Sequence, residues 1–256
     1  MTDSKFNEFV EIVKRLRKEC PWDREQTNDS IKANTIEEAY EVVESIDNKN
    51  YEELKIELGD LLLHVVFHTV IAEEDKHFNI DNVIESIQSK LIRRHPHVFG
   101  ELELKSADEV KKNWEEIKLS EGRESILDGV PVSLPALQRA HRLQEKASKV
   151  GFDWEKKEDV WQKVIEEIEE MHYSEKNEST ENLEKEVGDV FFAMVNYARF
   201  LGINPENSLR RTNEKFINRF NYVQERIKET GKAINESNLE EMDKYWNESK
   251  ELPGLD

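Results

Sequence analysis

Acidic side chains with regular spacing are the first feature of the sequence that could do chemistry. Glu166, Glu167 and Glu170 form the pattern E-E-x-x-E, and Glu186 and Asp189 form the pattern E-x-x-D. Residues three or four positions apart share one face of a helix, so the last two acids of each pattern project together. Carboxylate oxygens suit Mg²⁺ or Mn²⁺ and are poor ligands for zinc or copper. The spacing therefore predicts a divalent cation between two packed helices.

The same acidic pattern occurs in the first half of the chain. A displacement of 129 residues carries Glu38 onto Glu167 and Asp60 onto Asp189, which indicates two copies of one helical unit. The matching acids of the first copy are Glu37, Glu38, Glu41, Glu57 and Asp60. With 56 acidic residues in 256, a single copy could be a solvated charged face. Two copies favour a metal site, and salt-bridged or solvated carboxylates remain the alternative.

The surroundings of the second acidic pair supply a separate physical argument. Asp60 precedes LLLHVVFHTVIA and Asp189 precedes VFFAMVNYARFL, which are apolar on nearly all faces and predict interior helices. A lone buried carboxylate costs several kcal/mol unless it is paired or bound to a metal. Gly59 and Gly188 lie directly before these acids, and a glycine at that place predicts close helix packing.

Cations near the acidic pattern suggest an anionic ligand. Lys163 precedes Glu166 by three residues, and Lys215 and Arg219 lie four apart on one helix face. Such cations could neutralise phosphate oxygens that a metal does not reach, or they could form structural ion pairs. Trp246 could stack on a nucleobase or belong to the core of its helix.

Composition limits the fold and the class of partner. Apolar residues make up 37% and charged residues 36% of the chain, with nine Gly and six Pro, which favours an all-α protein. A formal charge of -19 argues against nucleic acid and anionic membranes as partners, because the field repels polyphosphate. No apolar run reaches the roughly 18 residues of a membrane span. Cys20 is the single cysteine, which excludes an internal disulfide, and a cytoplasmic location is expected.

Helical periodicity and turn residues divide the chain into two domains. Gly and Pro cluster in EGRESILDGVPVSLP, so residues 1–120 and 135–256 are predicted as helical domains and residues 121–134 as their linker. A helix around Phe6 to Leu16 ends at Cys20-Pro21. The other predicted helices cover residues 34–47, 51–73, 79–95, 106–120, 136–148, 157–173, 180–202, 205–230 and 238–250.

Several motifs together resemble the MazG family of nucleoside triphosphate pyrophosphohydrolases. Beside the two acidic patterns these are CPWDREQT, RHPHVFG, DGVP and LPALQRAHRLQEKASKVGFDW. The resemblance covers nearly the whole chain. It implies Mg²⁺-dependent hydrolysis of a ribonucleoside or deoxyribonucleoside triphosphate to the monophosphate and pyrophosphate, with Mn²⁺ as a substitute. It also implies a homodimer of chains with two tandem helical domains, each of four-helix-bundle type.

The resemblance also implies roles for individual residues of the second copy. Glu166 or Glu167 would orient or deprotonate the attacking water, with Lys163 as the third catalytic residue. The implied metal ligands are Glu167, Glu170, Glu186 and Asp189. The implied nucleotide-binding residues are Lys163, Glu166, Lys215, Arg219, Trp246 and Lys250.

The two copies are not equal, and the second is predicted to be the main catalyst. Asn34 stands where the second copy has Lys163, so one cation is missing. Thr35-x-x-Glu38 also reads as a capping box, which would give Glu38 a structural role. Asn28 replaces the histidine that the family has after CPWDxxQT. The first copy nevertheless keeps a second candidate metal site, formed by Glu38, Glu41, Glu57 and Asp60.

Two other classes of protein fit part of the pattern. A di-iron carboxylate bundle expects Glu-x-x-His, where this chain has Glu-x-x-Asp. His64 and His68 follow Asp60 in helical register, but they are interpreted as buried, hydrogen-bonded residues because Ala193 and Tyr197 match them in the second copy. A non-enzymatic acidic scaffold that binds partner helices is the other alternative.

Overall fold

The chain folds into helices. The computed structural model describes residues 2–106, 109–110, 113–114, 117 and 125–255, and this part of the chain contains no β-strand. The prediction of an all-α protein is confirmed. None of the described helices combines the length and the apolar character that crossing a membrane requires.

The first compact unit, Met1–Trp114, contains four long helices and two short ones among its residues 2–100, all of which the structure describes. Pro21 lacks a backbone N–H and begins a new short helix after the first helix ends at Glu19. Asn50 caps the helix Tyr51–Glu74 by accepting a hydrogen bond from the Glu53 backbone N–H at 3.2 Å. The helices are α1 (Thr2–Glu19), α2 (Pro21–Glu25), α3 (Lys32–Asp47), α4 (Tyr51–Glu74), α5 (Ile80–Arg94) and α6 (Pro96–Phe99).

The core of the first unit lies between α1 and α4. Val13 and Val66 are fully buried, and Phe67, Val70 and Ile71 surround them. These positions follow the helical spacing of three and four residues, so α4 presents one apolar face to α1.

The second compact unit, Glu115–Asp256, repeats this architecture. Asn204 caps the longest helix by accepting from the Asn207 backbone N–H at 3.0 Å, and Pro205 occupies the first helical position. A 3₁₀ helix, Ile234–Glu236, precedes the last α-helix. The helices are α7 (Ala136–Ser148), α8 (Lys157–Asn177), α9 (Thr180–Phe200), α10 (Pro205–Glu229) and α11 (Leu239–Ser249).

Part of the predicted linker packs on the second unit. Residues 121–124 lie outside the described residues. The same holds for residues 107–108, 111–112, 115–116 and 118–120 of the predicted helix 106–120. Residues 125–129 form a turn, and Lys146 on α7 donates hydrogen bonds to the carbonyls of Ile126 and Asp128 at 2.9 and 3.1 Å. The domain limits at residues 120 and 135 stay a prediction.

Two details of the sequence-based prediction are wrong. Thr35 is not the first residue of a capping box, because α3 begins at Lys32 and Thr35 lies inside the helix. Gly59 and Gly188 do not mark close helix packing, because a Cβ atom added at either would meet no atom within 4 Å. Both glycines lie on exposed helix faces.

Candidate active site

Helix α8 places a carboxylate on its buried face. Val160, Val164 and Ser174 are buried on this face, and Glu167 lies among them with 8% of its surface exposed. The spacing of four, three and seven residues follows the helical period, so Glu167 occupies a position where an apolar side chain would be expected. A carboxylate buried in this way favours a cation nearby.

Helix α9 brings two further carboxylates to Glu167. The Ser179 hydroxyl caps this helix by accepting from the Asn182 backbone N–H at 3.3 Å, which fixes where its turns begin. Glu186 and Asp189 follow on the second and third turns. One oxygen atom from each of the three carboxylates lies within 4.8 Å of the others. We call Glu167, Glu186 and Asp189 the acidic triad.

Glu170 lies beside the acidic triad without belonging to it. Its side chain is exposed one turn after Glu167, and it lines an open depression together with Glu166 and Glu186. Partial burial of its carboxyl group and the charge of Glu167 raise the pKa of Glu170, against an opposing effect of Lys163. A fourth carboxylate is therefore close to the triad, and its role as a metal ligand stays a prediction.

The Lys163 ammonium group bridges two of the acids. Lys163 Nζ donates to Glu166 Oε1 at 2.6 Å and lies 2.8 Å from Glu167 Oε1. Hydrogen bonds to Glu166 and then Glu167 raise the pKa of Lys163 further above neutrality. Lys163 therefore remains charged at neutral pH and partly neutralises the site.

An apolar cavity of about 400 Å³ opens beside the acidic triad. Lys163, Glu167 and Asp189 are among the residues that line it, together with others on α7, α8 and α9. The rest of its lining is mostly apolar and includes the aromatic rings of Phe152, Trp154 and Phe192. Sequence analysis did not find this cavity, although Phe152 and Trp154 belong to the quoted segment KVGFDW. A site lined by both charged groups and aromatic rings suits an amphipathic small molecule.

The remaining predicted nucleotide-binding residues lie on α10 and α11. The Trp246 ring lies with its centroid 5.3 Å from that of Phe216 and packs against the buried core between these helices. Lys215 and Arg219 lie on α10, and Lys250 follows the end of α11. None of these four predicted residues lines the cavity beside Glu167. Their contact with a nucleotide stays a prediction.

The first unit also assembles three carboxylates, but a different set. Oxygen atoms of Glu38, Glu41 and Glu57 lie within 4.8 Å of one another, and Asp60 is not part of this group. Glu57 is buried with 8% of its surface exposed. In the first unit two of the three grouped acids, Glu38 and Glu41, come from E-E-x-x-E. In the second unit two of the three, Glu186 and Asp189, come from E-x-x-D.

Two histidines next to the first acidic group are held by hydrogen bonds. Thr35 Oγ1 lies 3.0 Å from His64 Nδ1 and 2.8 Å from His68 Nε2. Asn28 Oδ1 lies 2.7 Å from His68 Nδ1, and because a carbonyl oxygen only accepts, this nitrogen carries the proton. Burial and the neighbouring His64 lower the pKa of His68. These contacts agree with the interpretation of both histidines as hydrogen-bonded residues of the fold.

The raised pKa of Glu57 indicates how the stability of the metal-free protein should depend on pH. Burial, contact with Glu53 and the charge of Glu41 raise the pKa of Glu57 from 4.5 to about 7. Between these values the folded chain keeps a proton that the unfolded chain has released, so the stability contributed by this carboxyl falls as pH rises. We expect the Tm in EDTA to fall between pH 5.5 and pH 8, and Glu57→Gln to flatten that slope.

The exposed carboxyl of Glu8 on α1 provides the control for this prediction. Glu8→Gln should leave the slope of Tm against pH unchanged. An equal slope in Glu57→Gln and the unmodified protein would show that Glu57 does not hold a proton in the folded state.

Two residues that line the cavity are matched by buried core residues in the first unit. With the displacement of 129 residues, Asn196 and Arg199 match Phe67 and Val70. Asn196 and Arg199 line the cavity, whereas Phe67 and Val70 belong to the buried core against α1. The two units therefore share a carboxylate pattern but differ in the side chains next to it.

Comparison with known proteins agrees with this repeated architecture. Residues 26–99 and residues 155–224 each match the model of the MazG nucleotide pyrophosphohydrolase domain. The chain belongs to the MazG family. The two matched segments contain the two acidic groups, so the MazG domain occurs twice, and the prediction of an enzyme of this family is confirmed.

MazG relatives of this chain extend over nearly all of it. A protein of Thermotoga maritima named nucleoside triphosphate pyrophosphohydrolase/pyrophosphatase MazG is 44% identical over 250 residues, which cover 96% of this chain and 95% of the relative. A nucleoside triphosphate pyrophosphohydrolase of Escherichia coli strain K12 is 40% identical over 256 residues, which cover 96% and 97%. The uncharacterized protein YabN of Bacillus subtilis is 47% identical over 252 residues, which cover 96% of this chain and 52% of YabN.

Proposed function

We propose that the second unit hydrolyses ribonucleoside or deoxyribonucleoside triphosphates to the monophosphate and pyrophosphate. The observation that carries this proposal is the acidic triad beside Lys163, two of whose members, Glu167 and Asp189, line an apolar cavity. Relatives that align over nearly the whole chain bear the name nucleoside triphosphate pyrophosphohydrolase. One water oxygen bonds to the α-phosphorus, the bond from that phosphorus to the bridging oxygen breaks, and pyrophosphate leaves.

The donor set of the acidic triad fits Mg²⁺, with Mn²⁺ as a substitute. All three side chains offer carboxylate oxygens, which are the ligands that these hard cations prefer. Glu167, Glu186 and Asp189 would hold the cation, with Glu170 close enough to join them. A bound Mg²⁺ supplies charge neutralisation at the phosphates and lowers the pKa of a coordinated water.

Two residues next to the triad have roles in the proposed reaction. Lys163 is charged and lies at the junction of the triad and the cavity, where its ammonium group can donate hydrogen bonds to phosphate oxygens. Glu166 is exposed and accepts a hydrogen bond from Lys163. When Lys163 instead donates to a phosphate oxygen, the Glu166 carboxylate is available to accept a proton from water. Glu167 can orient the same water.

The basic residues on α10 and α11 complete the proposal. Lys215 and Arg219 share a helix face, and Arg219 has the planar donor fork that suits a phosphate. Lys215, Arg219 and Lys250 would bind the β- and γ-phosphates, because these charged groups need hydrogen-bond donors that the apolar cavity does not offer. Trp246 packs against Phe216 and is half-buried, and the part of its ring that stays exposed could contact a nucleobase.

The first unit is proposed not to be the main catalyst. Its acidic group lacks a cation at the position of Lys163, where it has Asn34, and the buried core residue Phe67 stands at the position of Asn196, which lines the cavity. Glu38, Glu41 and Glu57, with Asp60 nearby, remain a proposed second metal site.

A homodimer is proposed as the assembled form. Phe191 and Met194 on α9, and Phe216 and Ile217 on α10, expose large apolar side chains, and such surfaces are typical of subunit interfaces. Light scattering after size exclusion should give twice the 30.2 kDa mass of the chain.

Product analysis is the experiment that tests the proposed function. Purified protein with Mg²⁺ and each of the eight common ribo- and deoxyribonucleoside triphosphates should yield monophosphate and pyrophosphate, because the proposed bond cleavage lies between the α- and β-phosphates. Diphosphate and phosphate as products would contradict this reaction. No pyrophosphate from any of the eight would favour the acidic scaffold, and activity that requires iron would favour the di-iron bundle.

A further inference from the structure

We propose that His64 makes the acidic group of the first unit a site for a transition-metal ion such as Zn²⁺ or Co²⁺, rather than for Mg²⁺. The ligands are His64 Nε2 and the carboxylate of Glu38, with Glu41 and Asp60 as the neighbouring carboxylates. The second unit keeps its all-carboxylate triad, so the two units of one chain would hold different cations. The proposal does not depend on the reaction proposed for the second unit.

The imidazole ring of His64 lies on the acidic face of α4. Glu57, Asp60 and His64 are three and four residues apart, so they share this face. Glu38 on α3 lies opposite, and its Oε1 atom is 3.8 Å from His64 Nε2. Burial, then the charges of Glu41 and Asp60, raise the pKa of Glu38, so both carboxylates are close enough to act on it. Metal–ligand bonds of about 2.0–2.2 Å place two ligands of one ion at a similar separation.

Hydrogen bonds determine which nitrogen of His64 faces the carboxylates. His68 Nδ1 donates to Asn28 Oδ1, and burial lowers the pKa of His68, so its ring is neutral and its Nε2 accepts. The donor to this nitrogen is the Thr35 hydroxyl, at 2.8 Å. The hydroxyl has a single hydrogen, so it accepts from His64 Nδ1 at 3.0 Å. A neutral His64 therefore carries its proton on Nδ1, and the lone pair of Nε2 faces Glu38.

This arrangement is typical of histidines that bind metals. A hydrogen bond from the second ring nitrogen fixes the tautomer and the ring plane and makes the ligand nitrogen more basic. Thr35 provides this bond for His64, and Asn28 supports it through His68. Asn28 follows the CPWDREQT motif directly, so the segment before α3 supplies the outer support of the site.

The first acidic group has a need for a cation that its own contacts do not meet. A lone pair on His64 Nε2 and a carboxylate oxygen of Glu38 repel each other unless a proton or a metal ion lies between them. Glu57 is buried with 8% of its surface exposed, and its carboxyl group contacts the carboxyl groups of Glu53 and Glu41. A buried carboxyl group among other acids favours a bound cation.

The differences between the two copies favour different cations. Asn34 stands at the position of Lys163, so the ammonium group that contacts Glu167 in the second unit has no counterpart at this position. Ala193 stands at the position of His64, so the second unit has no imidazole there. Mg²⁺ prefers oxygen ligands, whereas an imidazole nitrogen suits Zn²⁺ and its neighbours in the transition series.

Metal titrations of the full chain test the proposal once the second site is removed. Glu167→Gln/Asp189→Asn provides this background, so the bound cation belongs to the first unit. In the background, His64→Ala is expected to lower the affinity for Zn²⁺ by about 100-fold or more, beyond the 10–100-fold that loss of an outer support costs. The affinity for Mg²⁺ should change less than about threefold, because Mg²⁺ does not use the imidazole. Calorimetry without nucleotide measures both.

Three further variants separate a ligand from a structural residue. Thr35→Val removes the hydroxyl but keeps the shape, and should lower the affinity for Zn²⁺ by about 10–100-fold. His64→Gln keeps more of the volume and should show the same selective loss, which covers the case that His64→Ala unfolds. His172→Ala is the matched control, since His172 Nδ1 lies 3.3 Å from Glu175 Oε2 on the exposed surface of α8, and it should leave the affinity for Zn²⁺ unchanged.

X-ray absorption of the Zn²⁺-loaded background protein identifies the ligand directly. The outer-shell scattering of one imidazole ring should be present and should disappear in His64→Ala. An imidazole signal that is missing, or that persists in His64→Ala, would overturn the proposal. Equal changes in the affinities for Zn²⁺ and Mg²⁺, or no binding of Zn²⁺ to the background protein, would also overturn it. Pyrophosphate release enters none of these measurements, so this proposal and the proposed function fail separately.

Discussion

Glu167→Gln together with Asp189→Asn is expected to lower kcat/KM for nucleoside triphosphates by about 1,000-fold or more. The two changes remove the charge of two members of the acidic triad, one from each helix, and leave the size of the side chains nearly unchanged. Loss of a single group that stabilises charge in a transition state costs about 100–1,000-fold, and these two changes remove two ligands of the proposed cation site at once. Steady-state assays of pyrophosphate release at saturating Mg²⁺ measure the effect.

The first unit supplies a matched pair of changes. Glu38→Gln with Asp60→Asn alters the corresponding positions 129 residues earlier and should retain at least about half of the activity, because that unit has Asn34 in place of Lys163 and the buried core residue Phe67 in place of Asn196. Thermal unfolding of both double variants checks that neither effect is due to loss of the fold. The reverse result, with activity lost from the first pair and kept by the second, would place catalysis in the first unit.

Much of the fold follows from local sequence signals. Helices α4, α9 and α10 begin directly after Asn50, Ser179 and Asn204, whose side chains accept from backbone N–H groups three residues later. Periodicity then fixes the buried faces, and the predicted starts of these helices agree with the structure within one residue.

The sequence-based errors have tertiary causes. Thr35 has the spacing of a capping box, but its hydroxyl bonds to two histidines of α4 that are distant in sequence. Gly188 was expected at a close helix contact because glycine is a poor helix former, yet the side of α9 on which it lies is open. Local preference does not reveal which face of a helix a neighbour will cover.

The carboxylate site was only partly predictable for a similar reason. Helical spacing pairs Glu186 with Asp189 correctly, but it cannot decide whether Glu170 or Asp189 turns toward Glu167. The structure brings Asp189 to Glu167 in the second unit, whereas in the first unit Glu41 takes the corresponding place beside Glu38. Neighbouring groups differ between the units, since Lys163 binds Glu167 from one side and His64 faces Glu38. The contact of Glu38 with His64 joins two helices, and no single-helix pattern contains a contact of this kind.

The cavity was missed because its lining comes from separate parts of the chain. Leu127, Leu143 and Trp154 lie before α8, whereas Phe192 and Asn196 lie on α9. Comparing the two copies position by position would have given a signal: the buried Phe67 of the first copy is replaced by the smaller Asn196 in the second. A core position that loses volume in one of two repeats indicates space for something else.

Lys163→Met is expected to lower kcat by about 10–100-fold while Mg²⁺ binds more tightly. The ammonium group now contacts both Glu166 and Glu167, so it competes with a cation for the second of these carboxylates. Its removal leaves the triad more negative, which favours Mg²⁺. The phosphate loses a charge-assisted hydrogen bond, worth about 1.5–3 kcal/mol, in the same change. Calorimetric Mg²⁺ titration of the nucleotide-free protein and single-turnover hydrolysis measure the two effects separately.

The opposite signs of these two effects make Lys163→Met informative. If Lys163 served only to hold α8 together, its loss would lower Tm and weaken Mg²⁺ binding and turnover in parallel. Lys163→Arg keeps the charge and should retain more of the turnover than Met, whereas Lys185→Met, which removes a Lys–Glu pair on the exposed side of α9, should change neither quantity. Tighter Mg²⁺ binding with full turnover in Lys163→Met would show that this residue does not reach the phosphates. Slower turnover together with tighter Mg²⁺ binding is expected only if the Lys163 ammonium group moves from the carboxylates to the substrate when Mg²⁺ and the nucleotide are bound.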